Sequence, residues 1–406
     1  MTTGTSKQRR SLNLKGLIGP AMVAGVAYID PGNIATNLTA GSQYGYLLVW
    51  VLVLATASAA LFQFLSAKLG TVTGLSLPAQ LGLRLTNTPA RIAFWLQAEA
   101  VAIATDVAEV LGGAIALNLL THAPLLVCAL VVALISLVIT STRARRKSDF
   151  NGLVIVLMLA ATFGFSYIML TSPVAWGGLA TGMIPRFTDT GSLLLATSII
   201  GATIMPHAIY AHSSLSRDNA TEQSMSARLR GLRTDVALAM VLAGLGNLAV
   251  MVFSAANFAD DPATTMQNAA GLLDSHLGAG IGLIFVIALF GSGLASSAVG
   301  NFAAGEISAG LLRLHIPAVV RWALALVPAL LIIAFTSNVT DAIIFSQVVL
   351  SFGLPFALFP LVKLTASKQV MGDHLSSTQV TVLGYFLASL LTLLNLWLVA
   401  SLLIGN

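Results

Sequence analysis

The chain has 406 residues, 57% of them hydrophobic and 9% charged, with a mean hydropathy of +0.90. Soluble domains carry roughly 25% charge, so this composition excludes one and points to an all-α polytopic membrane protein. The net charge of +5 is spread over short loops, which argues against a nucleic-acid partner, and the single Cys128 excludes both an intramolecular disulfide and a cysteine-rich metal site.

A helix needs about 20 apolar residues to cross the hydrocarbon. The apolar runs predict about eleven spans, at 16–40, 46–68, 92–119, 123–142, 151–171, 192–216, 232–256, 281–312, 318–336, 341–364 and 379–403. The first is too long and too interrupted for a signal-peptide core and is read as a mature helix. Inside it lies Asp30-Pro31-Gly32-Asn33. Pro and Gly beside a carboxylate and an amide give up backbone hydrogen bonds where no water replaces them, which a membrane tolerates where the defect lines a cavity. A central Asp costs about 2.5–3.5 kcal/mol on insertion scales and is a functional residue by default. Unwinding around Pro31 and Gly32 is expected to free carbonyl oxygens such as that of Ala27 and to expose Asp30 and Asn33. The third span carries Thr105-Asp106-Val107-Ala108-Glu109, two acids on one helical face. Such a pair is expensive in a bilayer unless it moves protons or pairs with cations. The sixth holds Met205-Pro206-His207. Pro206 cannot donate to the carbonyl of Ala202, which becomes a possible ligand beside Met205. Alone, Met205 reads as packing and Pro206 as an ordinary kink. His207 and His212 follow, the first suited to a supporting role and the second to a gating or structural one. His122, His276, His315 and His374 sit near predicted loops and read as solvated, and Glu306 as a residue at the wetter end of the eighth span. The small residues Gly291, Gly293, Ala295, Ser296 and Ser297 of that span predict close helix packing.

Loop charge alternates. Lys7, Arg9, Arg10 and Lys15 precede the first span, Arg84 and Arg91 the third, Arg143, Arg145, Arg146 and Lys147 join the fourth to the fifth, and Arg217, Arg228, Arg230 and Arg233 the sixth to the seventh. Arg313, Arg321, Lys363 and Lys368 continue the series, whereas the intervening loops hold Arg186 as their only strong cation and the acids Asp260, Asp261 and Asp274. By the positive-inside rule the N-terminus is cytoplasmic and the C-terminus outside. Spans one to five (16–171) and six to ten (192–364) read as two repeats. An odd number per repeat inverts the second, the breaks fall in the first helix of each, and the last span (379–403) is an addition. Carboxylate, amide, carbonyl and thioether then meet at one point. Oxygen donors alone suit magnesium, calcium or sodium; the added sulfur favours a transition metal such as manganese or iron.

Asp30-Pro31-Gly32-Asn33 paired with Met205-Pro206-His207, the span count, and Ser346-Gln347-Val348-Val349-Leu350-Ser351 in the tenth span resemble the Nramp family, the natural resistance-associated macrophage protein family of proton-coupled divalent metal transporters. The resemblance implies the alternating-access fold shared with sodium-coupled amino-acid transporters, and import of manganese, possibly also iron, cobalt or cadmium, across a bacterial cytoplasmic membrane. It implies metal ligation by Asp30, Asn33 and Met205, with the carbonyls of Ala27 and Ala202 exchanging and Gln347 joining on occlusion. It implies proton acceptance by Asp106, with Glu109, His207 and Arg321 along the route. Where the family has a second arginine this chain has Trp322. Divalent metal ions, protons and membrane lipids are the expected partners, with no resident cofactor and no obligate protein partner. Three alternatives compete. A related magnesium transporter has a different ligand set from Asn33 and Met205, and a sodium-coupled organic-solute symporter needs groups for an amino acid's charged ends. An intramembrane metalloenzyme needs a His-Glu-x-x-His sequence or a Ser-His or paired-Asp arrangement, which the chain lacks.

Overall fold

Each apolar run contains a helix, because in hydrocarbon the backbone must satisfy its own hydrogen bonds. The computed structural model describes residues 19–145, 147–217, 224–259, 261, 264–314, 316–336 and 338–404; Lys7, Arg9, Arg10, Lys15, Arg146, Asp260 and His315 lie outside them. The spans are α1 (Pro20–Gly25) with a 3₁₀ turn (Val26–Ile29) and α2 (Pro31–Tyr44); α3 (Val49–Thr73); α5 (Thr88–Thr121), which follows the short α4 (Leu77–Arg84); α6 (Leu125–Arg145); and α7 (Lys147–Thr171). After the short α8 (Trp176–Thr181) come α9 (Thr190–Thr203) with α10 (Pro206–Arg217), α11 (Met225–Asn257), the short α12 (Met266–Leu277), α13 (Ile281–Leu312), α14 (Ala318–Phe335) and α15 (Val339–Thr365). The short α16 (Lys368–Met371) precedes α17 (Thr378–Ile404). Among the described residues eight helices are long and apolar enough to cross a membrane, and three shorter apolar stretches complete the eleven.

The short helices α4, α8, α12 and α16 were not expected from hydropathy. Two of them start on side-chain caps: Ser76 accepts from the Ala79 N–H, and Thr265 forms a reciprocal capping box with Asn268. A like box of Asp189 and Ser192 opens α9. The α5 helix has 34 residues, about 51 Å at 1.5 Å per residue, so it overshoots an about 30 Å hydrocarbon core.

Packing between the halves is reciprocal. The α2 helix lies on α11 as α10 lies on α3, and α13 lies on α7 as α15 lies on α5. The interrupted segments, α1–α2 and α9–α10, therefore run through the middle of the bundle, where every described residue from Ala21 to Ser42 and from Ser192 to Ser216 except Leu194 is buried. The outer helices are lipid-facing: α17 exposes Phe386, Leu393, Leu396 and Trp397.

The location of the first break corrects the expectation. Pro31 and Gly32 are helical, at the first two positions of α2; the irregular backbone lies upstream, from Val26 to Asp30. Proline has no N–H to satisfy at a helix start, so it begins the second half of the span instead of interrupting it.

Candidate metal centre

The site is built where the two breaks meet. Asp30 is extended (φ −93°, ψ 167°) and caps α2: its Oδ1 accepts from the Asn33 backbone N–H at 2.7 Å and from Asn33 Nδ2 at 2.8 Å. The carbonyls released by the 3₁₀ turn are satisfied by other helices. The Asn247 amide of α11 donates to Tyr28 O at 2.6 Å, and the Ser292 hydroxyl of α13 donates to Ile29 O. Asn247 in turn accepts from Asn37 at 3.1 Å. Sequence reasoning missed both residues; the only signal is that an amide and a hydroxyl lie in apolar runs.

The small residues of α13 now have a partner. Gly293 faces Pro31 and Gly113, and a Cβ on Gly112 of α5 would strike the Pro31 ring. The break is seated between two glycine surfaces.

At the second break α9 ends at Thr203, Ile204 turns out of the helix (φ −109°, ψ 71°), and α10 starts at Pro206. The Ala202 carbonyl is not free: it accepts from Asn33 Nδ2 at 2.8 Å, while Thr203 donates to Asn33 Oδ1 at 3.3 Å. One amide thus ties the carboxylate of the first break to the carbonyl of the second. Gln347 of α15 completes the roof. Its side chain lies against Gly32 and its backbone carbonyl against Gly201, its Nε2 donates to Ser346 Oγ at 2.9 Å, and its Oε1 has no hydrogen-bond partner among the described residues. The same holds for Asp30 Oδ2. The structure brings Asp30, Asn33, Ala202 and Gln347 together, with the Ala202 carbonyl, expected to be free, taken by Asn33. Met205 is fully buried in the turn between α9 and α10, and Ala27 lies inside the 3₁₀ turn. Rotating the Asn33 amide about its last bond exchanges donor for acceptor, which turns a hydrogen-bonded cluster into a set of oxygens facing one point. Among the described residues no group of three or more His, Cys, Asp or Glu side chains forms a metal site; what meets at the two breaks is one carboxylate, amide and carbonyl oxygens, and the buried Met205 of the second break.

The acids of α5 face α13. A Cβ on Gly300 would lie 2.8 Å from Asp106 Oδ1 and 3.1 Å from Glu109 Oε2, so the missing side chain makes room for both carboxylates. Both are buried, and Asp106 Oδ1 and both Glu109 oxygens have no hydrogen-bond partner among the described residues. His207 reaches the same helix, its Nδ1 lying 3.3 Å from Thr105 Oγ1. A third acid, Glu99, was missed by the sequence reading. It is 5% exposed, accepts from Ser308 Oγ at 3.3 Å, and stands with Asp106 in the field of Arg321. Its signal was legible: it lies seven residues before Asp106, two turns along one face. Arg321 packs against Gly305 of α13 and donates to Ile316 O. The acids and the arginine thus form a file leading from the metal centre toward the α13–α14 turn.

The side with the basic loops is shut. Gln63 donates to the Tyr28 hydroxyl and lies 2.5 Å from His212 Nδ1 through its Oε1, so His212 is held in a buried chain joining the 3₁₀ turn, α3 and α10. Gly70 abuts the Ser213 carbonyl and Gly82 that of Gly310. Glu306 receives the Ser214 hydroxyl and pairs with Arg217 at 3.2 Å, at 19% side-chain exposure. On the other side Tyr44 donates to Asp189 at 2.9 Å, and the Ser192 N–H, with this hydroxyl second, holds the Asp189 carboxyl below the usual carboxylate range. His122 and His276 are exposed and His374 half-buried.

This geometry has close counterparts. The family model for natural resistance-associated macrophage protein-like (Nramp) sequences matches residues 21–401. The chain is 45% identical over 393 residues to a divalent metal cation transporter, MntH, of Mycobacterium tuberculosis, covering 94% of this chain and 91% of the relative. It is 36% identical over 403 residues to MntH of Bacillus subtilis, covering 97% and 94%. A manganese transporter of Eremococcus coleocola, crystallised with an aromatic bis-isothiourea substituted compound, superposes with a TM-score of 0.85 at 29% identity over 99% of this chain and 89% of that one. With a matching family model over nearly its whole length, the chain belongs to the Nramp family of metal transporters.

Proposed function

We propose that the chain imports divalent transition metal ions, manganese foremost, by proton-coupled alternating access across a bacterial cytoplasmic membrane. The carrying observation is the Asn33 amide, which bridges Asp30 of one break to the Ala202 carbonyl of the other. A cation placed there takes over both contacts. Its ligands are Asp30, Asn33, Met205, the carbonyls of Ala202 and Ala27 in alternation, and Gln347 on occlusion. Residues 16–171 and 192–364 act as inverted repeats, 379–403 is the added helix, and the positive-inside rule sets the N-terminus in the cytoplasm. Pro31 and Gly32, Pro206 and His212 serve the hinges and gate.

Voltage favours uptake without help. At about 100 mV negative inside, a divalent ion gains about 4.6 kcal/mol, twice the roughly 2.3 kcal/mol per charge. Protons on Asp106 and Glu109 then bias the conformational equilibrium instead of supplying most of the work. Asp106→Asn is expected to leave manganese binding measurable by calorimetry while proton entry stimulated by metal falls at least about tenfold. Unchanged proton flux in pyranine-loaded proteoliposomes would remove Asp106 from the route.

The test of the metal assignment is Met205→Ala. Hard ions accept every oxygen here, and a thioether is a poor replacement for their hydration water. The variant is expected to keep most manganese uptake, to lose most cadmium uptake, and to let excess calcium or magnesium compete. Discrimination equal to wild type would reduce Met205 to packing and leave the choice of a transition metal without its chemical basis.

A further inference from the structure

An apolar recess opens on the outer side of α3 and α11. It is about 470 Å³, lined by Val53, Thr56, Ala57 and Ala60 on one helix and Ala237, Val241 and Gly244 on the other. Small side chains at helical spacing on both helices make it a slot along the bilayer normal. An apolar slot by itself is merely filled by lipid tails. What distinguishes this one is its end on the basic side.

Continuing along the same faces by one to two turns, α3 reaches Phe64 and Lys68, and α11 reaches Arg233. The Arg233 guanidinium stacks over the Phe64 ring at 5.3 Å from its centroid. Lys68 is 8% exposed, its ammonium lies 3.4 Å from Ser376 Oγ, and Arg233 is close enough for its charge to act on it. Two cations are therefore brought together, one of them buried, and among the described residues neither is paired with a carboxylate. The nearest acid in sequence, Asp235, is turned to the other side of α11, where its Oδ2 accepts from the Ala21 N–H at 2.9 Å. Like charges held together without a counter-ion are stabilised by an anion. Ala60 lies eight residues from Lys68, about 12 Å along the helix, so an anion at the cations and a chain in the slot fit one molecule spanning a single leaflet of about 15 Å.

We propose that the α3–α11 slot is a binding site for an anionic phospholipid of the leaflet on the basic side, its phosphate held between Lys68 and Arg233 and one acyl chain in the recess. The site lies outside the metal centre and does not depend on which ion is carried. Asp235 on the same helix holds the start of α1, so the lipid lies on a helix that is tied to the first interrupted segment.

The test is native mass spectrometry of the full chain released from micelles containing equimolar phosphatidylglycerol and phosphatidylcholine with identical chains. Wild type is expected to retain phosphatidylglycerol in preference, by about fivefold for each cation engaged. Lys68→Gln with Arg233→Gln is expected to bring the ratio to about one. Ala237→Leu, which fills the slot on an exposed position, is expected to lower retention of both lipids while leaving the preference of what remains. Inorganic phosphate at millimolar concentration is expected not to displace the lipid. Equal retention of the two lipids by wild type, an unchanged preference in the double variant, full retention by Ala237→Leu, or displacement by phosphate alone would each overturn the assignment. Circular dichroism melting of each variant separates loss of the site from loss of the fold.

Discussion

Asp30→Asn is expected to reduce manganese uptake into proteoliposomes to the level of empty liposomes while the protein still inserts and elutes as a folded species. An asparagine oxygen still accepts from the Asn33 N–H, so the cap that starts α2 survives. What disappears is the one formal charge at the centre. Two unit charges 4 Å apart interact by about 4 kcal/mol at an effective dielectric of 20, and a divalent ion at ligand distance gains more. The loss therefore corresponds to about a thousandfold or more in affinity. Uptake resembling wild type would remove Asp30 from the metal shell and with it the central argument for the site.

Gly70→Leu is expected to lower uptake at least about tenfold by a different route. A Cβ at Gly70 would overlap the Ser213 carbonyl of α10, a backbone atom that cannot step aside. Overpacking of this kind costs about 1–3 kcal/mol. The penalty falls only on arrangements in which α3 and α10 touch, so it moves the balance toward the form open on the basic side by about 5- to 150-fold. In a Cys128→Ser background, a cysteine placed at the buried Ala211 should become reactive toward an impermeant maleimide from that side. Uptake and labelling both equal to the Gly70 parent would show that this contact does not limit closure.

Much of this was legible in the sequence. The spans followed from the hydropathy of runs about 20 residues long, and Asp30 and the acid pair from the expense of charged groups in such runs; Asn33 came from the broken stretch beside Asp30, and Gln347 only from the family resemblance. Four features were missed, three of them for a physical reason and one, Glu99, despite a legible repeat. The unwound stretch Val26–Ile29 is composed of good span residues, so nothing local marks it; only the capping of α2 by Asp30 places the irregularity upstream of Pro31. The groups that satisfy it, Asn247 and Ser292, are 219 and 263 positions away in the chain. Sequence patterns report periodicity along one helix, not which helix faces it. Glu99 went unremarked because it stands outside the Thr105–Glu109 cluster, although the helical repeat joins them. The role of Ala202 shifted for a related reason: its carbonyl, expected to be free once Pro206 removed a donor, is claimed by an amide from the other half of the chain.

The length of α13 has a consequence for the proton-coupled reading proposed above. Ser292 and Gly293 seat the first break, Gly300 admits Asp106 and Glu109, Gly305 receives Arg321, and Ser308 holds Glu99. These positions follow one another along an unbroken helix and span about 24 Å from Ser292 to Ser308. That helix is a ruler, with the first break and its proposed ligand Asp30 near one mark and the berths of the acids at the next. On that reading, a small tilt of the ruler would displace both at once and in fixed proportion, so that occupancy at one end would be registered at the other.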